Sequence, residues 1–251
     1  MSAIELRAVE KTWDNGVQAL RPLDLRVERG EIVTLLGPSG CGKSSLLNIV
    51  AGLTEPSAGD VAVGPDERIG FVFQQATLMP WARVAANVRL PLDLAGVARA
   101  EANARAAEAL RRVGLGAFAE VWPRELSGGM QMRASIARAL VTEPTLLLMD
   151  EPFGALDEIT RNRLDDELLR VRREQQLTVL FVTHSIHEAV YLSDRVVVMA
   201  ARPGRVVAEV AITTDEPRDD AFRVSTTFAR HVRDLQQALL AAARDADEAL
   251  A

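Results

Sequence analysis

Glu31-Ile32-Val33-Thr34-Leu35-Leu36-Gly37-Pro38-Ser39-Gly40-Cys41-Gly42-Lys43-Ser44-Ser45-Leu46-Leu47 is the stretch on which the fold turns. Its middle fits G-x-x-x-x-G-K-[ST], the phosphate-binding loop. The apolar run Ile32–Leu36 before it reads as a buried strand, and Leu46, Leu47 and Val50 after it recur on one helical face. The motif therefore sits where its mechanism needs it, between a strand and a helix N-terminus. Gly37, Gly40 and Gly42 let the backbone curl so that successive N–H groups point at one anion. The helix start adds unsatisfied donors and the positive end of a dipole. Lys43 is expected to reach the β- and γ-phosphates, and the Ser44 hydroxyl to ligate Mg²⁺. The stretch reads as a nucleotide-binding site.

The chain has 251 residues and a formal net charge of −6, which argues against a surface built to hold nucleic acid. Its one cysteine is Cys41, so no disulfide framework is expected and a reducing, cytosolic setting fits. Met1-Ser2-Ala3-Ile4-Glu5 lacks the basic-then-apolar pattern of a secretory signal. No apolar run approaches the roughly 20 residues of a membrane-spanning helix. A soluble chain is expected, with any membrane role supplied through another chain.

Ile4, Leu6 and Ala8 alternate with polar residues, and Val17 to Val27 is strand-like around a Pro22 turn. Together they predict an antiparallel β layer ahead of the loop strand. Trp13, before the turn Asp14-Asn15-Gly16, caps the core or offers a shelf for a ring such as adenine; the residues alone leave both open. Two short strands follow, around Asp60–Val63 and Arg68–Phe73, the second ending in Gln74-Gln75. From Val84 to Leu140 the pattern is helical. Within it, Leu126-Ser127-Gly128-Gly129-Met130 opens a helix with Ser127 as N-cap; by itself the glycine pair reads first as an ordinary turn, and otherwise as bare backbone for a second phosphate contact. Thr145–Met149 is a continuous apolar run fit for a central parallel strand and ends in Asp150-Glu151, where a Mg²⁺ ligand and a base belong. Another such strand, Thr178–Val182, ends in Thr183-His184. Final strands are expected over Asp194–Met199 and Val206–Ile212. A closing helix then places Phe228, Val232, Leu235 and Leu239 on one face. Strands alternating with helices give a parallel α/β sheet.

Trp13, Gly37–Ser44, Gln74, Leu126–Gly129, Asp150-Glu151 and His184, in that order, resemble the ATP-binding subunit of ABC transporters. The resemblance covers about Ile4 to Arg205. It implies an α/β, P-loop NTPase (RecA-like) parallel-sheet core with an N-terminal antiparallel β layer and an inserted α-helical subdomain. The expected division is residues 1–75 and 145–212 for the core, 76–144 for the helical subdomain and 213–251 for a C-terminal helical extension. By the same resemblance Trp13 stacks on adenine, and Gly37, Pro38, Ser39, Gly40, Cys41, Gly42, Lys43, Ser44 and Ser45 hold the phosphates. Asp150, Ser44 and Gln74 attend Mg²⁺, and Gln74 signals to the membrane subunit. Glu151 is the general base, His184 holds the γ-phosphate, and Lys43 and Gln74 complete the catalytic set. Ser127, Gly128 and Gly129 complete the ATP site of a second copy, and Asp157 lies in the loop that contacts it.

The signature runs Leu126-Ser127-Gly128-Gly129-Met130-Gln131, with methionine where the commonest form has glutamine. That wording, with Met149–Asp157 and Arg202-Pro203-Gly204-Arg205, resembles the nitrate/sulfonate/taurine importer group, and pyrimidine-precursor importers share much of it. The implied partners are a second copy arranged head to tail, integral membrane permease subunits, and indirectly a solute-binding protein. The implied location is the cytoplasmic face of the inner or plasma membrane. A rival class, ABC-type ATPases acting on DNA or ribosomes, usually carries long coiled-coil arms or two fused halves; this sequence has neither. Two further expectations concern single residues. Cys41, at a helix start beside Lys43, is expected to be acidic and easily alkylated. Trp81, in Leu78-Met79-Pro80-Trp81, is expected to be either core or an outward anchor for a membrane partner.

Overall fold

The protein was analysed as a computed structural model that describes residues 2–154 and 156–248, with the side chains of the last helix followed to 243. Ala155, inside the run Met149–Asp157, and residues 249–251 of the expected C-terminal extension lie outside the described residues. The chain groups into two units, Met1–Glu67 with Thr178–Ala251, and Arg68–Leu177.

The first unit opens with β1 (Ser2–Thr12) and β2 (Gln18–Glu28), followed by β3 (Ile32–Leu36), α1 (Lys43–Val50) and β4 (Ala58–Val63). β1 pairs antiparallel with both β2 and β4, giving the expected antiparallel layer in the order β2-β1-β4. Its core face is the alternating set Ile4, Leu6, Leu23, Leu25 and Val27, all buried. Pro22 does not make the turn that its sequence context predicts. It lies inside β2 with an exposed side chain. The β1–β2 register shifts between Val9↔Leu23 and Lys11↔Leu20, so Pro22 falls in a bulge, one of the few places a strand accommodates proline.

The second unit holds β5 (Ile69–Val72), α2 (Val84–Leu94), α3 (Arg99–Arg112), α4 (Gly128–Leu140), β6 (Leu146–Asp150) and α5 (Glu158–Gln175). β5 and β6 pair in parallel, and all five residues of β6 are buried, as a strand covered on both faces requires. α2, α3 and α4 pack on one another through Val84, Val88, Leu92, Ala102, Ala106, Leu110, Met132 and Ile136. This unit is larger than the 76–144 segment expected to be helical: β5, β6 and α5 group with it.

The chain then returns to the first unit with β7 (Thr178–Thr183), α6 (Ile186–Leu192), β8 (Arg195–Ala200), β9 (Arg205–Ala211), α7 (Asp220–Arg223) and α8 (Thr226–Glu248). β3 lies between β7 and β8, parallel to both, and β9 closes the edge antiparallel to β8. Every residue of β3 and β7 is buried. The polar Thr34 inside β3 is satisfied by the Ser193 hydroxyl, 2.5 Å away. The Asp194 carboxylate accepts the Ile32 N–H at 2.9 Å and fixes the start of β3. α8 buries Phe228, His231, Leu235 and Ala242, whereas Val232 and Leu239 are only half-buried. The buried stripe is thus rotated from the purely apolar one the sequence predicts. A histidine takes a core position because its Nε2 meets the Thr213 carbonyl at 3.0 Å. Nearby, Phe228 sits edge-to-face on Phe222 at 5.4 Å.

Candidate active site

Leu36 is in register with Thr183 on one side and with Val198 on the other. The phosphate loop and His184 therefore leave neighbouring strands at the same end. Gly37, Pro38, Ser39 and His184 share one cleft of about 470 Å³ with Arg202 and Leu239. Gly42, at φ +87°, is the N-cap of α1 and offers no side chain as an acceptor, which leaves that role to an anion. Lys43 is buried and folds back over the loop, its Nζ donating to the Gly37 carbonyl at 2.8 Å and the Pro38 carbonyl at 2.9 Å. The ammonium is thereby held inside the curl that a phosphate group would enter. Ser44 is exposed on the first turn.

Arg202-Pro203-Gly204-Arg205, quoted above only for its family wording, has a physical task here. Gly204 exchanges backbone hydrogen bonds with β2, to the Ala19 carbonyl at 3.0 Å and from the Arg21 N–H at 2.8 Å. A Cβ on Gly204 would lie 2.3 Å from the Cys41 carbonyl and 2.7 Å from that of Ala19. The glycine is a wedge between the phosphate loop and β2, and no larger residue fits without moving one of them.

That packing corrects the expectation for Cys41. Its side chain is 0% exposed, and burial pushes the thiol above its usual range while the Lys43 ammonium, 3.7 Å from Sγ, offsets only part. Thiolate is the reactive form and desolvation suppresses it. Cys41 in the folded chain is accordingly expected to resist maleimide at neutral pH with or without MgATP, and to react fully once denatured. Rapid labelling of the native protein, followed by mass spectrometry, would contradict this burial.

Trp13 starts the turn into β2, with its N–H on the Val17 carbonyl at 2.9 Å. It is 39% exposed, and Lys11 Nζ lies 4.7 Å from its ring centroid. Of the two readings left open above, this exposure favours the aromatic surface.

In the second unit, Val72 is in register with Met149, so Gln74 and the pair Asp150-Glu151 emerge from the same end of β5 and β6. Gln74 is exposed, Asp150 buried and Glu151 half-buried. Glu151 holds φ +46°, a left-handed backbone costing an ordinary residue of order 1–3 kcal/mol and typical of functional turns. Ser127 caps α4 as expected, its Oγ accepting the Met130 N–H at 3.3 Å. Asp157 caps α5 through the Thr160 N–H at 3.0 Å, and that hydrogen bond holds its carboxyl below the usual range. A Cβ on Gly129 would approach Leu156 Cδ2 to 2.9 Å, whereas one on Gly128 would meet nothing within 4 Å, so Gly129 alone packs on the turn that precedes Asp157. Each half of the expected site is built within its own unit: loop and His184 in one, Gln74, Asp150, Glu151 and Ser127–Gly129 in the other.

Polar residues at helix positions escaped the sequence reading. Gln131 Nε2 donates to the Pro123 carbonyl at 3.0 Å and the Leu126 carbonyl at 3.2 Å, tying down the turn before Ser127. Asn87 and Arg138, described below, do the same for residues 76–83. A polar residue in a helix usually marks a solvated face, so no local signal distinguishes these. For a metal, the described residues contain no group of three or more His, Cys, Asp or Glu. Mg²⁺ needs no such group, since it takes most of its ligands from phosphates and water.

Comparison with known proteins agrees with this geometry. A family model described as ABC transporter matches residues 20–154. An uncharacterized ABC transporter ATP-binding protein of Methanocaldococcus jannaschii is 50% identical over 211 residues, covering 82% of this chain and 79% of its own. An aliphatic sulfonates import ATP-binding protein of Xanthomonas axonopodis pv. citri is 48% identical over 210 residues, covering 80% of this chain and 83% of its own. A solved dimeric ATP-binding cassette, described as a post-hydrolysis state bound to ADP and Pi, superposes with a TM-score of 0.78 at 35% identity, covering 84% of this chain and 99% of that one. A family match over more than half of the sequence, joined to a phosphate loop on a buried parallel strand, leaves one conclusion: the chain belongs to the ABC transporter family and is an ABC-type ATPase of P-loop NTPase fold.

Proposed function

We propose that ATP hydrolysis by this chain drives uptake of a small anionic solute of the aliphatic sulfonate class through separate membrane subunits, a solute-binding protein delivering the cargo. No helix among the described residues is long and apolar enough to cross a membrane, which is consistent with a peripheral place on permease subunits at the cytoplasmic face. Two copies work head to tail, with Ser127, Gly128 and Gly129 of each donating to the γ-phosphate bound by the other. Trp13 stacks on adenine, and the backbone from Gly37 to Ser45 cradles the phosphates. Lys43 and His184 hold the γ-phosphate oxygens. Ser44, Asp150 and Gln74 would hold Mg²⁺, which neutralises phosphate charge. Glu151 takes the proton of the attacking water. Positioning and electrostatics supply most of the rate in such a reaction. In the division of labour proposed from sequence, residues 1–75 and 145–212 bind nucleotide and residues 76–144 receive the signal.

The observation that carries the transport reading is Trp81. It is 75% exposed, on a loop that closely follows Gln74, with Phe73 also exposed at the end of β5. Aromatic groups of this kind anchor interfaces more often than other exposed residues do. Trp81→Ala is expected to change folding stability by no more than about 0.5 kcal/mol, as for an ordinary surface site, and to keep basal ATPase activity. Affinity for the membrane subunits should fall by about 30-fold, the loss of an interface anchor worth roughly 2 kcal/mol. Co-purification from membranes and turnover in reconstituted vesicles with an alkanesulfonate measure this. A large drop in melting temperature with coupling intact would return Trp81 to the core.

A further inference from the structure

Arg138 lies near the C-terminal end of α4, the helix that begins at Ser127-Gly128-Gly129. Its Nη1 donates to the Thr77 carbonyl at 2.9 Å. Its Nη2 reaches the Ala76 carbonyl at 3.0 Å, Thr77 Oγ1 at 2.9 Å and Ser135 Oγ at 3.4 Å. No carboxylate among the described residues pairs with it, and burial pushes the guanidinium below its ordinary value. A charge set among carbonyls is an expensive way to fill space, because an apolar side chain would pack there without desolvating an ion. What the arginine secures is unusual backbone. Thr77 holds φ +45°, a left-handed conformation that is a genuine outlier for a β-branched residue. The guanidinium fork seizes the carbonyls on both sides of that kink.

The next segment has its own clamp. The buried Asn87 side chain accepts the Met79 N–H at 2.6 Å and donates to the carbonyls of Met79, Ala82 and Arg83 at 3.0 to 3.2 Å. Residues 76–83 are therefore fixed at two places, leaving Trp81 at the outward tip. From Arg138 back to Ser127 is a rigid run of helix, about 16 Å at 1.5 Å per residue.

We propose that Arg138 is a positioning residue that makes the Gln74–Thr77 turn and the helix beginning at Ser127-Gly128-Gly129 move as one piece. This rests on the functional reading above, since it is there that Gln74 and Ser127–Gly129 both serve ATP hydrolysis. Through this joint, a push on the Trp81 loop reaches the residues offered to the other copy's nucleotide. A lysine keeps the charge but lacks the planar fork that spans two carbonyls.

The test uses the full chain. Arg138→Ala and Arg138→Lys are each expected to lower kcat for MgATP at least tenfold, with KM and affinity for a fluorescent ATP analogue within twofold of wild type. Adding Thr77→Asn, which tolerates the left-handed region better, should recover at least threefold of the loss, a rescue that a general packing role would not give. Should the alanine variant fail to fold, the lysine variant decides. Wild-type kcat in folded Arg138→Lys overturns the proposal, as does a loss that tracks melting temperature and ignores Thr77→Asn. Amide hydrogen exchange gives a readout independent of hydrolysis. Loss of protection in Arg138→Lys that spreads from residues 76–79 to 127–131 supports the joint, and loss confined to 76–79 overturns it. A wild-type chain without ATPase activity would count against the functional reading, while the exchange result would still judge Arg138.

Discussion

Glu151→Gln is expected to bind ATP normally and to hydrolyse it more slowly by roughly 10²–10⁴, the usual worth of a general base. The substitution is nearly isosteric, so it leaves the packing at the end of β6 unchanged. It also keeps a non-glycine residue at φ +46°, so the backbone strain is the same in both proteins and does not enter the comparison. What changes is the ability to take a proton. Because the γ-phosphate then persists between two copies, the variant should elute as a dimer in ATP and as a monomer in ADP. Single-turnover hydrolysis with size-exclusion chromatography reads both effects. Near-normal turnover would remove Glu151 from the role, and weakened ATP binding would mean that the end of β6 had been disturbed instead.

Lys43→Ala is expected to fail one step earlier. A hydrogen bond to a charged group contributes about 1.5–3 kcal/mol, so nucleotide affinity should fall by roughly 10- to 150-fold, and hydrolysis should be undetectable. The structure adds a second consequence. Lys43 Nζ also satisfies the carbonyls of Gly37 and Pro38 at 2.8 and 2.9 Å. Removing it leaves acceptors that water must reach, and a stability loss of about 1–3 kcal/mol follows if water cannot. Calorimetric titration with ATP and thermal melting separate the two losses. Unchanged affinity would contradict the placement of the ammonium within the phosphate curl.

Which parts of this were readable in the sequence follows from how local the cause is. The loop is legible because its glycine spacing, the apolar run Ile32–Leu36 and the helical face of Leu46, Leu47 and Val50 lie within one short stretch. The strand ends at Asp150 and His184 are legible for the same reason: an uninterrupted apolar run that stops at a polar residue marks its own end. Cys41 was misread because its burial is not local. β2 and Gly204, far apart in the chain, close over the loop, and no spacing rule announces that. Pro22 inside a strand was not legible because a proline signals a turn unless the partner strand is known to leave a bulge for it. His231 was passed over because a lone polar residue on a helix says nothing about the carbonyl waiting for it, here that of Thr213. Arg138 belongs to the same class, a cation whose partners are backbone atoms of another segment.

The Asn87 clamp bears on how the Trp81 loop meets whatever it docks against. Loops usually lose conformational freedom when they bind, at about 0.5–1.5 kcal/mol for each side chain immobilised and more for the backbone. Here the backbone around Pro80 and Trp81 is already bonded to a buried amide side chain, so that loss is taken during folding rather than at the encounter. In the docking role proposed for it, the indole would meet its groove as part of a stiff body. Complexes of such preformed surfaces form in one step, with association limited by diffusion and orientation, and differences in affinity among them appear in how slowly they come apart.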